Sequence, residues 1–207
     1  MSSDREQILT RVRDAVKTIE SRTPYPDYPD DVAVAMNRLS GPSLWDNFAK
    51  NFAAVNGRPM TAHDELTTFL QEQEVDTGYC DPDLYEAFGK PLEALGLAIH
   101  KTYDRSDYDR YQFGITRASG AIAETGTVVL TDSETSDRLG ALTPWIHIAV
   151  LKPSRLVRSI GDAIGTFGGE SNIIWATGPS KTADIEGILI EGVHGPGEQI
   201  CFFDESG

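Results

Sequence analysis

Two short apolar runs in the second half of the chain constrain its fold more than any other feature. Thr125–Thr131 and Ile146–Leu151 are almost without charge and bounded by turn residues. Runs of this length read as strands buried on both faces, and such strands need other layers to cover them. Around them, helical and strand patterns alternate. Ser43–Asn51 is read as a helix with Leu44, Phe48 and Phe52 on one face. Asp64–Glu74 is read as another, carrying Leu66, Phe69 and Leu70. Pro82–Leu95 has a helical pattern broken by Gly89 and Pro91. Short strands are expected at Arg58–Ala62, Leu97–Thr102, Arg155–Ser159, Asn172–Ala176 and Gln199–Phe203, and Asp162–Phe167 is a helix fragment ended by Gly168-Gly169. Asp76–Asp83 reads as a string of turns. Alternation of this kind predicts a layered α/β domain.

The N-terminal segment stands apart. Ser3 and Glu6 have capping-box spacing, and Ile8, Val12, Val16 and Ile19 follow at helical steps. Three prolines between Thr23 and Asp31 then read as an extended linker. The expected division is a helix and Pro-rich linker over 1–31 and one domain over 32–207. The first helix packs loosely or against another chain, which leaves homo-oligomerisation open.

Composition excludes several roles. With 32 acidic and 18 basic side chains the net charge is −14, and no basic run interleaved with aromatics occurs. Such a chain repels phosphate backbones, so nucleic-acid binding is not expected. The longest apolar run, Trp145–Leu151 with His147 inside it, falls far short of the roughly 20 residues a membrane helix needs. The charged N-terminus lacks a secretory core, and a cytoplasmic location is expected. Two cysteines, Cys80 and Cys201, cannot supply the four thiolates of an iron–sulfur cluster. No HxH, HxxxH or clustered carboxylates signal a metal site.

Three segments carry more glycine and small polar residues than packing needs. In the first, Gly114–Thr127, Glu124 precedes a buried strand, where a carboxylate must be paired, protonated or used. It either braces the turn through the N–H groups of Thr125 and Gly126 or carries chemistry. In the second, His147 lies on an apolar strand, as a satisfied core residue or as a base. The third is Thr177-Gly-Pro-Ser-Lys-Thr-Ala-Asp-Ile-Glu186, together with Gly192-Val-His-Gly-Pro196. A strand, a tight turn and a helix start are expected there. The free N–H groups and Lys181 would cradle an anion through Gly178, Ser180, Thr182 and Asp184. His194 sits between glycines where backbone can approach a ligand. The spacing is neither a P-loop nor a dinucleotide fingerprint.

Taken in order, Gly114-Ile-Thr116 with Ala121-Ile-Ala-Glu-Thr-Gly-Thr127, Pro144 with His147-Ile-Ala-Val150, the Thr177–Glu186 stretch and Gly192–Pro196 resemble the LUD-domain family, in particular its lactate utilisation protein C (LutC/YkgG) group. Lys181 departs from the arginine common there and loses the bidentate fork. The resemblance implies a three-layer α/β fold similar to the NagB/RpiA/CoA-transferase-like fold. It implies a part in oxidation of L-lactate to pyruvate beside iron–sulfur partner proteins, with no cofactor on this chain. By fold analogy, Glu124-Thr125-Gly126 has the form of a CoA-transferase nucleophile turn, with Thr127 next to it. Lys181 and the Ser180 and Thr182 N–H groups would hold a small carboxylate while His147 or His194 takes a proton. The alternatives are an isomerase or CoA-transferase-like enzyme acting on a phosphorylated sugar or acyl thioester, and a non-catalytic assembly module.

Overall fold

The computed structural model describes residues 4–19, 24, 38–183 and 189–206. Helix α1 (Asp4–Lys17) belongs to a unit spanning 1–33, separate from a second unit spanning 34–207. Ser3 and most of the Pro-rich segment lie outside the described residues. No residue of α1 is buried, and Ile8 and Val12 stand exposed.

The second unit is α/β. Its main sheet has six strands, all parallel: β1 (Arg58–Met60), β2 (Thr77–Cys80), β3 (Ala98–His100), β4 (Phe113–Arg117), β7 (Ile146–Leu151) and β12 (Glu198–Phe203). Their spatial order is β1-β12-β7-β4-β2-β3. A second sheet, in the order β8-β5-β6-β9, holds β5 (Gly120–Ile122), β6 (Thr127–Thr131), β8 (Leu156–Val157) and β9 (Ile173–Ala176).

Alternation along the strands sorts their side chains into two cores. On one face Phe113, Ile115, Ile146, Ile148, Ile200 and Phe202 pack against α3 (His63–Glu72), through Leu66, Phe69 and Leu70, and against α4 (Lys90–Ala94), through Leu92. On the other face Ala149, Leu151, Cys201 and Phe203 meet α2 (Leu44–Ala53) and the inner face of the second sheet. The outer face of that sheet, with Ile122 and Val129, is covered by Ala163 and Phe167 of α6 (Ile160–Phe167). Helix α5 (Arg138–Leu142) leads into β7.

Local chemistry accounts for the helix ends. The Ser43 hydroxyl accepts the Asp46 N–H at 3.1 Å and starts α2. Ser159 and Asp162 form a capping box at α6. Phe48 and Phe52 are buried as expected, but Leu44 is exposed, and Asn47 and Asn51 share the buried face instead. The break at Gly89 and Pro91 is taken up by a wide turn over Tyr85–Gly89, in which the Lys90 N–H reaches back to Tyr85 O.

The stretch read as turns before Asp83 is a correction: Thr77–Cys80 is the strand β2, between β3 and β4. Gly78 belongs to that strand because the Phe113 ring fills the space a Cβ would need. The larger correction falls at Lys181. Lys181–Ala183, the last residue of which is expected to open a helix over 183–186, is strand β10, antiparallel to β11 (Leu189–Glu191), and residues 184–186 lie outside the described residues.

Candidate functional site

Beside the amino ends of β7 and β12 a cleft of about 450 Å³ opens between two loops. Its lining includes His147, Gln199, Thr177, Ser180, Lys181 and His194. The second and third sequence segments therefore meet in one place.

The loops are joined backbone to backbone. The Ser180 N–H donates to Pro196 O (2.9 Å), and the Gly192 N–H donates to Ser180 O (2.8 Å). Gly178 has φ +75°, and a Cβ there would stand 2.2 Å from Val55 O, so only glycine suits the turn. Lys181 Nζ donates to Val55 O at 3.2 Å and lies 3.4 Å from Glu191 Oε1. Asn56 Nδ2 donates to the same Glu191 oxygen at 2.7 Å, and these contacts hold the Glu191 carboxyl below its ordinary range, the Asn56 hydrogen bond first. His194 stands exposed on the rim.

These contacts correct the expected cradle. The Ser180 N–H is spent on Pro196, and Thr182 lies in β10 opposite Ile190 rather than at a helix start. Asp184 lies outside the described residues. The positive element that remains at the cleft is Lys181, with Glu191 as its standing partner.

His147 is 1 % exposed, on the face of β7 that looks toward the second sheet. Gln199, its cross-strand neighbour on β12, donates to Nδ1 at 2.9 Å. Nε2 lies 2.9 Å from Thr116 Oγ1 of β4, so in this tautomer Nε2 carries the hydrogen. Burial pushes the imidazole down to about 4 from its ordinary 6.5, against the Gln199 hydrogen bond. It is therefore neutral at pH 7 with both nitrogens committed, which suits a fixed floor better than a base. Thr116 and Gln199 escaped the sequence reading because only strand pairing brings them beside residue 147.

Glu124 is not on the cleft. It is buried, its N–H donates to Arg158 O (3.1 Å), and its carboxylate accepts the N–H of Ile160 at the start of α6. The Gly126 N–H goes to Ile122 O instead of bracing Glu124. Burial raises the Glu124 pKa against the opposing Arg158 charge, and among the described residues Oε2 has no hydrogen-bond partner. A nucleophile must reach its electrophile, and this carboxyl faces the interior. A chain of hydroxyls links the turn to the cleft wall: Thr125 Oγ1 lies 2.6 Å from Thr127 Oγ1, which lies 2.8 Å from Thr177 Oγ1 on that wall.

The cysteines do not suit a cluster. Cys80 belongs to the core on one face of the main sheet and Cys201 to the core on the other. Burial pushes the Cys80 thiol up to about 12 and raises that of Cys201 as well. Among the described residues no group of three or more His, Cys, Asp or Glu could hold a metal ion, and no helix is long and apolar enough to cross a membrane.

These features define an α/β protein with a polar cleft where two glycine-containing loops meet the sheet. The LUD domain matches residues 46–203, and the chain belongs to that family. It is 38% identical over 163 residues to a lactate utilization protein C of Halalkalibacterium halodurans, covering 73% of this chain and 63% of that one. To the protein of the same name from Bacillus subtilis it is 38% identical over 91 residues, 40% of this chain and 38% of that one. The chain thus spans less than two thirds of these relatives' length. A crystal structure of a DUF162 family protein from Deinococcus radiodurans aligns with a TM-score of 0.45 at 14% identity, over 82% of this chain and 98% of that one.

Proposed function

We propose that this chain takes part in lactate utilisation by binding a small hydroxy or keto acid in the cleft, while the redox groups that accept the electrons reside on iron–sulfur partner proteins. Its relatives named lactate utilization protein C support the pathway. The observation that carries the site is Lys181: a cation on the wall of a cleft floored by a neutral, immobilised histidine and rimmed by His194. An incoming carboxylate takes the place of Glu191 beside the ammonium, and the Thr177 and Ser180 hydroxyls lie within the same wall. His194 is the group positioned at the rim to accept a hydroxyl proton.

Isothermal titration calorimetry with L-lactate and pyruvate tests this reading. Both should bind the purified chain, Lys181→Gln should weaken them, and chloride at equal ionic strength should give no heat. Equal affinity in Lys181→Gln removes the cleft from consideration. The same chain with L-lactate and no partner proteins should form no pyruvate, and pyruvate formation there would contradict the division of labour.

A further inference from the structure

The parallel sheet has a second polar pocket, at the opposite ends of its strands. After β2 the chain moves outward to β3, and after β4 it moves the other way to β7, although β2 and β4 are neighbours. The carboxyl ends of this pair are a topological switch point, where open α/β sheets leave a crevice. Asp81 follows β2, and its N–H donates to Ile115 O at 2.9 Å; Arg117 ends β4. A pocket of about 200 Å³ lies beside them, lined by Leu84, Arg117, Glu134, Lys152, Arg155 and Asp204.

Arg117 is held in place from the protein side. Its Nε donates to Oδ2 of the fully buried Asp81 at 2.7 Å, and Nη1 lies 2.9 Å from Asp83 Oδ2. The Asp83 N–H returns to Asp81 Oδ1, and the Thr135 hydroxyl donates to Arg117 O. Among the described residues Nη2 is uncommitted, and half of the guanidinium fork remains for a ligand. The Lys152 ammonium, on the residue directly after β7, has no partner among the described residues. Arg155 is paired through Nη2 to Glu134 Oε1 at 2.6 Å. On the acidic side, Asp204 Oδ1 already accepts from the Ser206 N–H and hydroxyl. The donors left over at the pocket are Arg117 Nη2 and the Lys152 ammonium.

We propose that this pocket binds the oxyanion group of a small metabolite, a carboxylate or a phosphate, through Arg117, Lys152 and Arg155. The site is separate from the cleft at the amino ends and does not depend on the role given to Lys181.

Calorimetry at low ionic strength, with inorganic phosphate and L-lactate titrated separately, tests it on the wild type, Lys152→Glu, Arg155→Gln and Lys181→Gln. Lys152 and Arg155 sit on the surface, so melting curves of their variants should match the wild type and report intact folds. The expected result is an anion site, additional to the lactate site of the cleft, that weakens at least tenfold in Lys152→Glu, weakens in Arg155→Gln, and survives in Lys181→Gln. Phosphate at that site marks a phosphate ligand, and lactate there a carboxylate. No anion site in the wild type overturns the proposal, as does wild-type affinity in Lys152→Glu or loss in Lys181→Gln alone. That last outcome would leave the cleft reading standing.

Discussion

His147→Gln separates a packing role from a proton-dependent one. In the folded chain burial lowers the imidazole to about 4, whereas the unfolded chain keeps its ordinary 6.5. Between these values the unfolded state binds more protons than the folded state, so stability falls as pH falls. The contribution is fully present above about 6.5 and is lost by about 4. A difference of two and a half pKa units corresponds to about 3 kcal/mol at 1.36 kcal/mol per unit. For a chain of this size that is roughly 6–12 °C in melting temperature. Carboxylates also titrate in this window, so the assay is the difference between wild type and His147→Gln, by urea denaturation at half-unit steps from pH 4 to 8. The glutamine is neutral throughout. The variant should be less stable at pH 7.5, because the Thr116 and Gln199 contacts are disturbed, and the gap should close on acidification. A gap that stays constant across the range would refute the buried neutral histidine, as would an NMR titration of His147 with a midpoint near 6.5.

Gly178→Ala forces a side chain into the left-handed region and against Val55 O, at a cost of about 1–3 kcal/mol; Gly165→Ala, in α6 with nothing near its Cβ, should be neutral or stabilise by up to about 1 kcal/mol. Paired thermal melts check both, and equal shifts would contradict the close approach at Gly178. Glu191→Gln releases the Lys181 ammonium from an exposed ion pair and should tighten L-lactate binding by up to about fivefold, read by calorimetry. Asp81→Ala leaves the Arg117 guanidinium without its buried partner and should destabilise by about 2–4 kcal/mol in denaturant titrations. Cys80 and Cys201, both buried with raised thiol pKa values, should resist a thiol reagent at pH 8 in the native state and react once urea unfolds the chain.

The sequence reading succeeded where one residue pattern serves one local demand. Ile146–Leu151 and Gln199–Phe203 are strands because apolar runs of that length are buried on both faces, and both observed strands lie within a residue of those limits. Ser43 marks a helix start through its own hydroxyl, whereas Ser159, read as the end of a strand, caps α6 instead. It failed where a long-range partner decides. Thr77–Cys80 looks like turn chemistry until Phe113 occupies the space above Gly78. Ala183–Glu186 has the composition of a helix start, yet Ala183 pairs with Leu189 in the antiparallel ladder of β10 and β11, next to the Gly192 N–H to Ser180 O bond. The two loops around the cleft stand out by their glycines, but the commitments of Lys181 to Glu191 and of His147 to Gln199 and Thr116 depend on strand order. Glu124 reads as exceptional in both sequence and structure, and only coordinates reveal that it faces inward.

The place of β12 in the main sheet bears on how the chain is made. Arg58 on β1 pairs with Glu198 on β12, 140 positions later, and β12 also fills the space beside β7. A ribosome releases β7 long before its neighbour, so the growing polypeptide carries an open, sticky sheet margin until the final described strand emerges. Any lesion that stalls translation late, or clips that strand, leaves β1 without a seat and β7 bare. The expected fate of such a product is aggregation or chaperone capture rather than a slightly weakened native state.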